Sequence, residues 1–187
     1  MTATLPALEP VLHFEPESLL RAQPVRGLIL DVDGVLTDGG LYLSAEGEML
    51  KRFDSLDGHG LKLLRQAGLA VMVVSGRDSA ALRARLGALG IVHLRLGCDD
   101  KLPAAEALLA ERSLSWAETA VMGDDWPDLP LLRRAAWACA PAQAHAQARA
   151  AAHYVTHARG GHGAVRELCD LLLVAGGHYA RLLAQLS

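Results

Sequence analysis

The sequence predicts an α/β fold: a three-layer, Rossmann-like domain with a doubly wound, mostly parallel sheet. Short apolar runs alternate with helical segments from residue 25 onward, an order typical of parallel strands linked by helices. Ala and Leu are abundant while aromatic residues make up only 4% of the chain, which favours helices packed closely on a sheet. A length of 187 residues fits one domain. We therefore expect a single domain.

The chain is predicted to have two parts. Residues 1–24 form a leader that ends in a short helix near Pro16 to Gln23, and residues 25–187 form the domain. Met1 to Glu15 contains neither Lys nor Arg and no long apolar stretch, so we expect no secretory or transit signal. No apolar run approaches membrane-spanning length. The cysteines are odd in number and isolated, which indicates reduced thiols and a cytoplasmic location; they are Cys98, Cys139 and Cys169.

The first elements of the domain follow from apolar runs and turns. Val25 to Leu30 is a continuous apolar run and predicts a buried strand. Leu41 to Leu43 and Glu48 to Phe53 flank a Gly-containing turn and predict a β-hairpin that projects as a flap. Gly58 to Ala67 has helical spacing of leucines, and a glycine ends this helix before the strand Leu69 to Val74.

The second half continues the alternation of helix and strand. The predicted elements are, in order, a helix from Ala80 to Leu89 started by Asp78 and Ser79, a strand Ile91 to Leu94, a helix Leu102 to Arg112, a strand Thr119 to Met122, a helix near Leu129 to Ala135 and a strand Trp137 to Ala140. The tail is predicted to contain a short strand at Tyr154 to Thr156, a glycine-containing loop, and a helix from Ala164 to Leu186 that Gly176 and Gly177 end or bend.

Two carboxylates follow the first strand directly. Asp31 and Asp33 are two residues apart, so strand alternation predicts that both face one side, and Gly34 then breaks the strand. The carboxyl edge of an open α/β sheet is where ligands bind. Two close carboxylates repel unless a cation neutralises them, and Mg²⁺ prefers such oxygen ligands. The pair therefore predicts a Mg²⁺ and phosphate site, the alternative being an acidic turn after an edge strand.

Further polar residues fall at the ends of later strands. Asp31 is predicted to attack phosphorus as a nucleophile, and Asp33 to act as the general acid and base. Ser75 offers a hydroxyl and, with Gly76, backbone N–H groups at a predicted helix start, where a phosphate is favoured. Lys101 supplies a positive charge to the phosphate and the nucleophile.

The segment after the strand Thr119 to Met122 completes the predicted site. Asp124 is placed as a Mg²⁺ ligand, Asp125 as a further ligand or water holder, and Asp128 as a partner that orients Lys101. Each residue alone has a simpler interpretation. Ser75 could be only a helix cap, Lys101 a solvated residue, and Asp124 with Asp125 a capping pair. Their joint placement at successive strand ends favours phosphoryl transfer.

These motifs resemble those of the haloacid dehalogenase superfamily of Asp-nucleophile phosphatases. The segment 31–39, the flap, Phe53 to Gly60 and the tail from Ala152 onward further resemble the 3-deoxy-D-manno-octulosonate 8-phosphate phosphatase subfamily, over about Val25 to Ala175. The resemblance implies a capless domain, Mg²⁺ dependence, a role in lipopolysaccharide biosynthesis, and a homotetramer in which flap and tail of neighbouring subunits close the site. It implies substrate contacts at Asp33, Asp54, Ser55, Leu56, Asp57, Gly58, Lys62, Gly76, Arg77, Arg85 and Lys101.

Two departures from the subfamily bear on the substrate. The subfamily usually has Arg where this chain has Leu56, and commonly Arg where it has His162. Since Arg binds carboxylates well, recognition of a sugar acid carboxylate should be weaker here. The alternatives are a nonulosonate 9-phosphate or another small phosphate, an accessory subunit of a complex such as phenylphosphate carboxylase, or a phosphoacceptor resembling response regulators. A net charge of −3 argues against a nucleic-acid partner.

Overall fold

The structure is a computed structural model that describes residues 8–45 and 47–185, without the side chains of Glu48 and Met49. The predicted leader before Leu8 and the predicted helix end at Leu186 lie outside the described residues. The strands, in chain order, are β1 (Gly27–Leu30), β2 (Tyr42–Ser44), β3 (Gly47–Leu50), β4 (Ala70–Ser75), β5 (His93–Leu96), β6 (Thr119–Met122), β7 (Trp137–Ala140) and β8 (Tyr154–Val155).

The helices lie mostly between these strands. They are α1 (Pro16–Ala22), α2 (Ser55–Gln66), α3 (Ala80–Ala88), α4 (Lys101–Glu111), α5 (Leu129–Leu132), α6 (Ala146–Ala151), α7 (Ala164–Ala175) and α8 (Tyr179–Ala184). Within the described chain no helix is long and apolar enough to cross a membrane. The same residues contain no cap domain over the sheet, which confirms the predicted architecture.

The six-stranded sheet has the order β5-β4-β1-β6-β7-β8, and its neighbouring strands are parallel. The central strand β1 pairs with β4 on one side and β6 on the other, with Gly27 in register with Ala70 and Thr119. The chain winds outward in both directions from β1. A crevice at the carboxyl ends of β1, β4 and β6 is the expected ligand site in such a sheet.

Helices bury the sheet from both faces. One apolar cluster joins the sheet to α2 and α7 through residues such as Leu64 and Leu168, and the other joins it to α4 and α5 through Leu108 and Leu131. Burial of apolar area at roughly 25 cal/mol per Å² makes these two layers the main stabilising contribution. The sheet edge above them is therefore a rigid support for side chains at the strand ends.

Most predicted elements are confirmed, and the differences have local causes. The strand predicted at Ile91 to Leu94 instead covers His93–Leu96, because the Ile91 N–H donates to the Leu86 carbonyl (2.9 Å) and closes α3. Helix α6 was not predicted, since its alanine-rich sequence shows no apolar periodicity. The tail helix is divided at Gly177, whose φ of +71° suits glycine. The boundary at residue 24 stays a prediction.

Candidate active site

A cleft of about 490 Å³ lies at the carboxyl edge of the sheet. Each main motif reaches it from a strand end: Asp31 follows β1, Ser75 ends β4, and Lys101 begins α4 after β5. Asp124 and Asp128 follow β6 and also line the cleft. The sheet therefore brings together residues that are almost a hundred positions apart in the sequence.

Lys101 contacts two carboxylates at the floor of the cleft. The floor consists of Asp31, Lys101, Asp124 and Asp128. The Nζ of Lys101 lies 2.7 Å from Oδ1 of Asp31 and 2.7 Å from Oδ1 of Asp128, and all three side chains are less than a tenth exposed. Oδ2 of Asp128 accepts hydrogen bonds from the backbone N–H of Asp124 (3.0 Å) and of Asp125 (3.3 Å). Asp128 therefore orients both Lys101 and the loop that carries Asp124, as the sequence predicts for Lys101.

The floor carries more negative than positive charge. Burial and then the charge of Asp128 raise the pKa of Asp31 to about 6, although Lys101 opposes this shift. Burial and then the charges of Asp31 and Asp128 raise the pKa of Asp124 to about 8. Burial alone would lower the pKa of Lys101, but these carboxylates raise it. One ammonium group does not neutralise three carboxylates, so the floor favours a further cation.

The floor could hold a hard metal ion. Oxygens of Asp31, Asp124 and Asp128 all lie within 4.8 Å of one another, and carboxylate oxygens suit a cation such as Mg²⁺. Among the described residues, both oxygens of Asp128 already accept hydrogen bonds or contact Lys101. Asp31 and Asp124 are thus the better candidates for metal ligands.

Asp33 lines the same cleft, but its carboxylate lies outside this cluster of oxygens. Oδ1 of Asp33 is 2.5 Å from Nζ of Lys51, and Oδ2 is 3.6 Å from Nε of Arg77. The predicted strand alternation does not reach Asp33, because β1 ends at Leu30 and the chain then turns. The structure therefore does not bring the Asp33 side chain to the acidic cluster, and its role as a metal ligand stays a prediction.

Ser75, Gly76 and Arg77 line the cleft, but not at a helix start. The following helix begins only at Ala80, with Ser79 as its cap, so the predicted contribution of a helix amino terminus at Ser75 is wrong. Oγ of the buried Ser75 instead accepts a hydrogen bond from the N–H of Arg77 (3.2 Å). This bond fixes the short loop after β4 against the cleft.

The segment Asp54 to Gly58 does not line the cleft of the single chain. Asp54 caps α2 by accepting from the N–H of Leu56 (2.7 Å), and its carbonyl accepts from Nη2 of Arg85 (3.0 Å). A Cβ on Gly58 would lie 2.2 Å from that Nη2, so Arg85 packs directly under the segment. Ser55, Leu56 and Lys62 are exposed outside the cleft. Their substrate contacts stay predictions.

Asp57 is a buried structural residue in this arrangement. It is 1% exposed, and its Oδ1 accepts from the backbone N–H of Arg166 (2.8 Å) at the start of α7. Burial raises the pKa of Asp57 to about 6. Its carboxylate is turned toward α7 and joins α2 to the tail, and Asp57 is not among the residues that line the cleft.

Sequence reasoning missed residues that carry no motif. Lys51, at the base of the flap, was overlooked although its side chain is only 2% exposed and contacts Asp33. Cys98 and Asp99 also line the cleft. Alternation beyond β3 could have indicated that Lys51 points inward, but nothing in the sequence pairs it with a residue 18 positions away.

The fold and this arrangement of carboxylates and lysine define a class of phosphoryl-transfer hydrolases. A family model for haloacid dehalogenase-like hydrolases matches residues 97–168. The chain is 42% identical over 162 residues to the 3-deoxy-D-manno-octulosonate 8-phosphate phosphatase of Salmonella typhimurium, covering 87% of this chain and 86% of that protein. The chain therefore belongs to the haloacid dehalogenase-like hydrolases, and it is a phosphoric monoester hydrolase.

Two solved structures extend the comparison to the whole fold. The phosphatase of the same name from Moraxella catarrhalis, in complex with magnesium, phosphate and KDO, is 36% identical, with a TM-score of 0.88 over 91% of this chain and 98% of that chain. The cobalt-bound deoxy-D-mannose-octulosonate 8-phosphate phosphatase of Haemophilus influenzae is 40% identical, with a TM-score of 0.83 over 85% of this chain and 93% of that chain. Both relatives bind a divalent metal, which agrees with the acidic floor described above.

Proposed function

We propose that this enzyme hydrolyses 3-deoxy-D-manno-octulosonate 8-phosphate, a small sugar acid phosphate, within lipopolysaccharide biosynthesis. The observation that carries the proposal is the 42% identity over 87% of the chain to a phosphatase named for that substrate. A cleft of about 490 Å³ has the size of a small-molecule site.

In the proposed reaction Asp31 is the nucleophile. Its carboxylate attacks phosphorus, the bond between phosphorus and the sugar oxygen breaks, and an aspartyl-phosphate forms. Asp33 gives a proton to the leaving sugar oxygen, and as a carboxylate it then takes a proton from water. That water attacks phosphorus, which releases phosphate and restores Asp31. The support is positional, because both carboxylates line the cleft and Lys51 holds Asp33 in place.

Charge stabilisation is assigned to the surrounding groups. Lys101, at 2.7 Å from Asp31, lies where a positive charge would stabilise the phosphoryl oxygens. Ser75, Gly76 and Arg77 would bind the phosphate from the loop after β4. Mg²⁺ held by Asp31 and Asp124 would neutralise charge on the phosphate and the nucleophile.

We further propose a cytoplasmic homotetramer in which neighbouring subunits close the cleft. Leu41, Tyr42, Leu43 and Leu50 of the flap are 42–63% exposed, an apolar surface that favours burial against another subunit. Cys98, Cys139 and Cys169 are free thiols, which suits a reducing compartment. Sedimentation equilibrium of the purified chain measures the number of subunits.

The experiment that tests the substrate uses the purified chain alone with Mg²⁺. Initial rates are compared for 3-deoxy-D-manno-octulosonate 8-phosphate, a nonulosonate 9-phosphate and glucose 6-phosphate, each also with EDTA as the metal-free control. We expect the octulosonate to have the highest kcat/KM. A higher value for the nonulosonate would establish that alternative. No turnover without other subunits would favour an accessory role, and a long-lived phospho-Asp31 would favour a phosphoacceptor.

A further inference from the structure

The turn after β7 carries Gln143, whose half-buried side chain joins two loops beside the cleft. Its Nε2 donates a hydrogen bond to the carbonyl of Gly34 (2.7 Å), and its Oε1 accepts one from the N–H of Gly160 (2.8 Å). Gly34 belongs to the loop that carries Asp31 and Asp33. Gln143 therefore links the loop that carries Asp31 and Asp33, the nucleophile loop, to the glycine-containing loop that precedes α7.

Gly34 has no free space around it. A Cβ on Gly34 would lie 2.0 Å from Oδ2 of Asp124, and a Cβ on Gly160 would lie 1.8 Å from the Gly34 carbonyl oxygen. The Gly34 peptide is thus packed between the Asp124 carboxylate and Gly160. A shift at Gly34 would change the position of Asp33, the residue before it, relative to Asp124.

The same turn also contacts the loop that carries Asp124. The backbone N–H of His145 donates to the carbonyl of Asp124 (2.8 Å), and that of Ala142 donates to the carbonyl of Ala158 (3.2 Å). The turn from 141 to 145 is therefore in contact with three loops at once, and Gln143 is its side chain that reaches the nucleophile loop.

The chemistry of the contact requires a carboxamide. A carbonyl oxygen needs a donor and an N–H needs an acceptor, and Gln offers both on one planar group. A Glu carboxylate would keep the acceptor for Gly160 but place an oxygen against the Gly34 carbonyl. A Met side chain would fill similar space and satisfy neither group. The hydrogen-bond partners also fix which atom of the amide is nitrogen.

We propose that Gln143 is a positioning residue that fixes the Gly34 peptide and so sets the spacing of Asp31, Asp33 and Asp124. It acts through the backbone and does not touch the reacting atoms. The kinetic part of this inference rests on the proposed phosphatase function, whereas its metal-binding part does not. The two are therefore tested by separate measurements.

The test compares Gln143→Glu with Gln66→Glu as the matched control. Gln66 makes the same kind of amide contact, from Nε2 to Oε1 of Gln185 (3.0 Å), but it is exposed at the end of α2. For p-nitrophenyl phosphate with saturating Mg²⁺, kcat should fall about tenfold in Q143E, equivalent to about 1.4 kcal/mol, with KM changed by less than about twofold. Without substrate, the Mg²⁺ concentration for half of the maximal Tm shift should rise several-fold. Q66E should match the wild type in each measurement.

Wild-type kcat and wild-type Mg²⁺ dependence in Q143E would overturn the proposal, even if Tm were lower, because Gln143 would then only support the fold. Equal losses in Q66E would overturn it as well. If Q143E does not fold, Gln143→Met carries the same test with the same expected losses. A wild type that hydrolyses no phosphomonoester would refute the proposed function, while the Mg²⁺ titration would still decide the role of Gln143.

Discussion

The floor and the rim of the cleft are built differently. The floor consists of Asp31, Lys101, Asp124 and Asp128, which are mostly buried, follow strands of one sheet, and are joined by short hydrogen bonds and ion pairs. The rim is more exposed: Arg77, which contacts Asp33 from the loop after β4, has a side chain that is 53% exposed.

This difference suggests that the floor determines the reaction and the rim determines which substrate is selected. Floor side chains have their positions fixed by parallel strand register and burial, so the same reaction can persist while the rim changes. The rim depends on the flap and loops, which tolerate substitution. The subfamily resemblance implies such substitutions at Leu56 and His162, which are both exposed and do not line the cleft of the single chain.

The largest effect is expected at the floor. Asp31→Asn removes the proposed nucleophile and should lower phosphate release on the order of 10⁴-fold or more. Initial rates measured by phosphate release, with Tm as a check on folding, test this. Asp78→Asn is the control, because Asp78 pairs with Arg83 at the surface and its loss should change the rate little. Retained turnover in Asp31→Asn would contradict the mechanism.

Removing Lys101 should affect both catalysis and stability. Lys101→Met leaves the buried carboxylates of Asp31 and Asp128 without their shared cation. We expect kcat to fall on the order of 10²-fold and the free energy of unfolding to fall by about 3 kcal/mol. Urea denaturation and steady-state rates measure the two effects. The control is Arg21→Met, which breaks an exposed pair with Glu17 and should change stability by less than about 1 kcal/mol. Equal losses of stability in both variants would mean that the buried floor contributes no more than an exposed ion pair.

The fold could be predicted well because its signals are local. The apolar runs of β6 and β7 were predicted with their observed bounds, since buried parallel strands read as continuous apolar runs. The edge strand β5 was misplaced, because its residues are only half-buried and Ile91 closes the preceding helix instead. The flap was predicted as a hairpin, and β2 and β3 confirm it.

The site could be predicted where strand ends determine it. Lys101 and Asp128 were expected to contact each other, and they do at 2.7 Å. Contacts that arise from loop packing could not be predicted, such as Lys51 with Asp33 or Gln143 with Gly34, because no local pattern joins residues 18 or 109 positions apart. The burial of Asp57 was missed for the same reason, since its partner at the start of α7 is also 109 positions away.

Metal binding should depend on pH through the floor. Because burial raises the pKa of Asp31 to about 6 and that of Asp124 to about 8, protons compete with Mg²⁺ below these values. The pKa values of both carboxyl groups lie above their ordinary values, so ionisation of these groups destabilises the metal-free fold as the pH rises. A bound cation would offset this destabilisation. Mg²⁺ affinity should therefore increase by about 10- to 100-fold between pH 6 and pH 8.

Isothermal titration calorimetry of the wild type measures this dependence directly. Binding near pH 7 should release protons, so the apparent enthalpy should vary with the ionisation enthalpy of the buffer. Asp124→Asn should bind Mg²⁺ more weakly and lose most of the pH dependence. An affinity that is constant over this range would mean that Asp124 does not bind the metal.

The smallest effect is expected in selectivity, at Leu56, which lies outside the cleft of the single chain and would reach it only in the proposed homotetramer. Leu56 is 58% exposed on the first turn of α2, so Leu56→Arg adds a guanidinium without disturbing the core. Since Arg pairs with carboxylates, the ratio of kcat/KM for a sugar acid phosphate to that for glucose 6-phosphate should rise about tenfold. Leu20→Arg adds the same charge at an exposed position in α1 and should leave this ratio unchanged. If kcat for p-nitrophenyl phosphate changed as much as the ratio did, residue 56 would act on the floor, and the separation of chemistry from selectivity would fail.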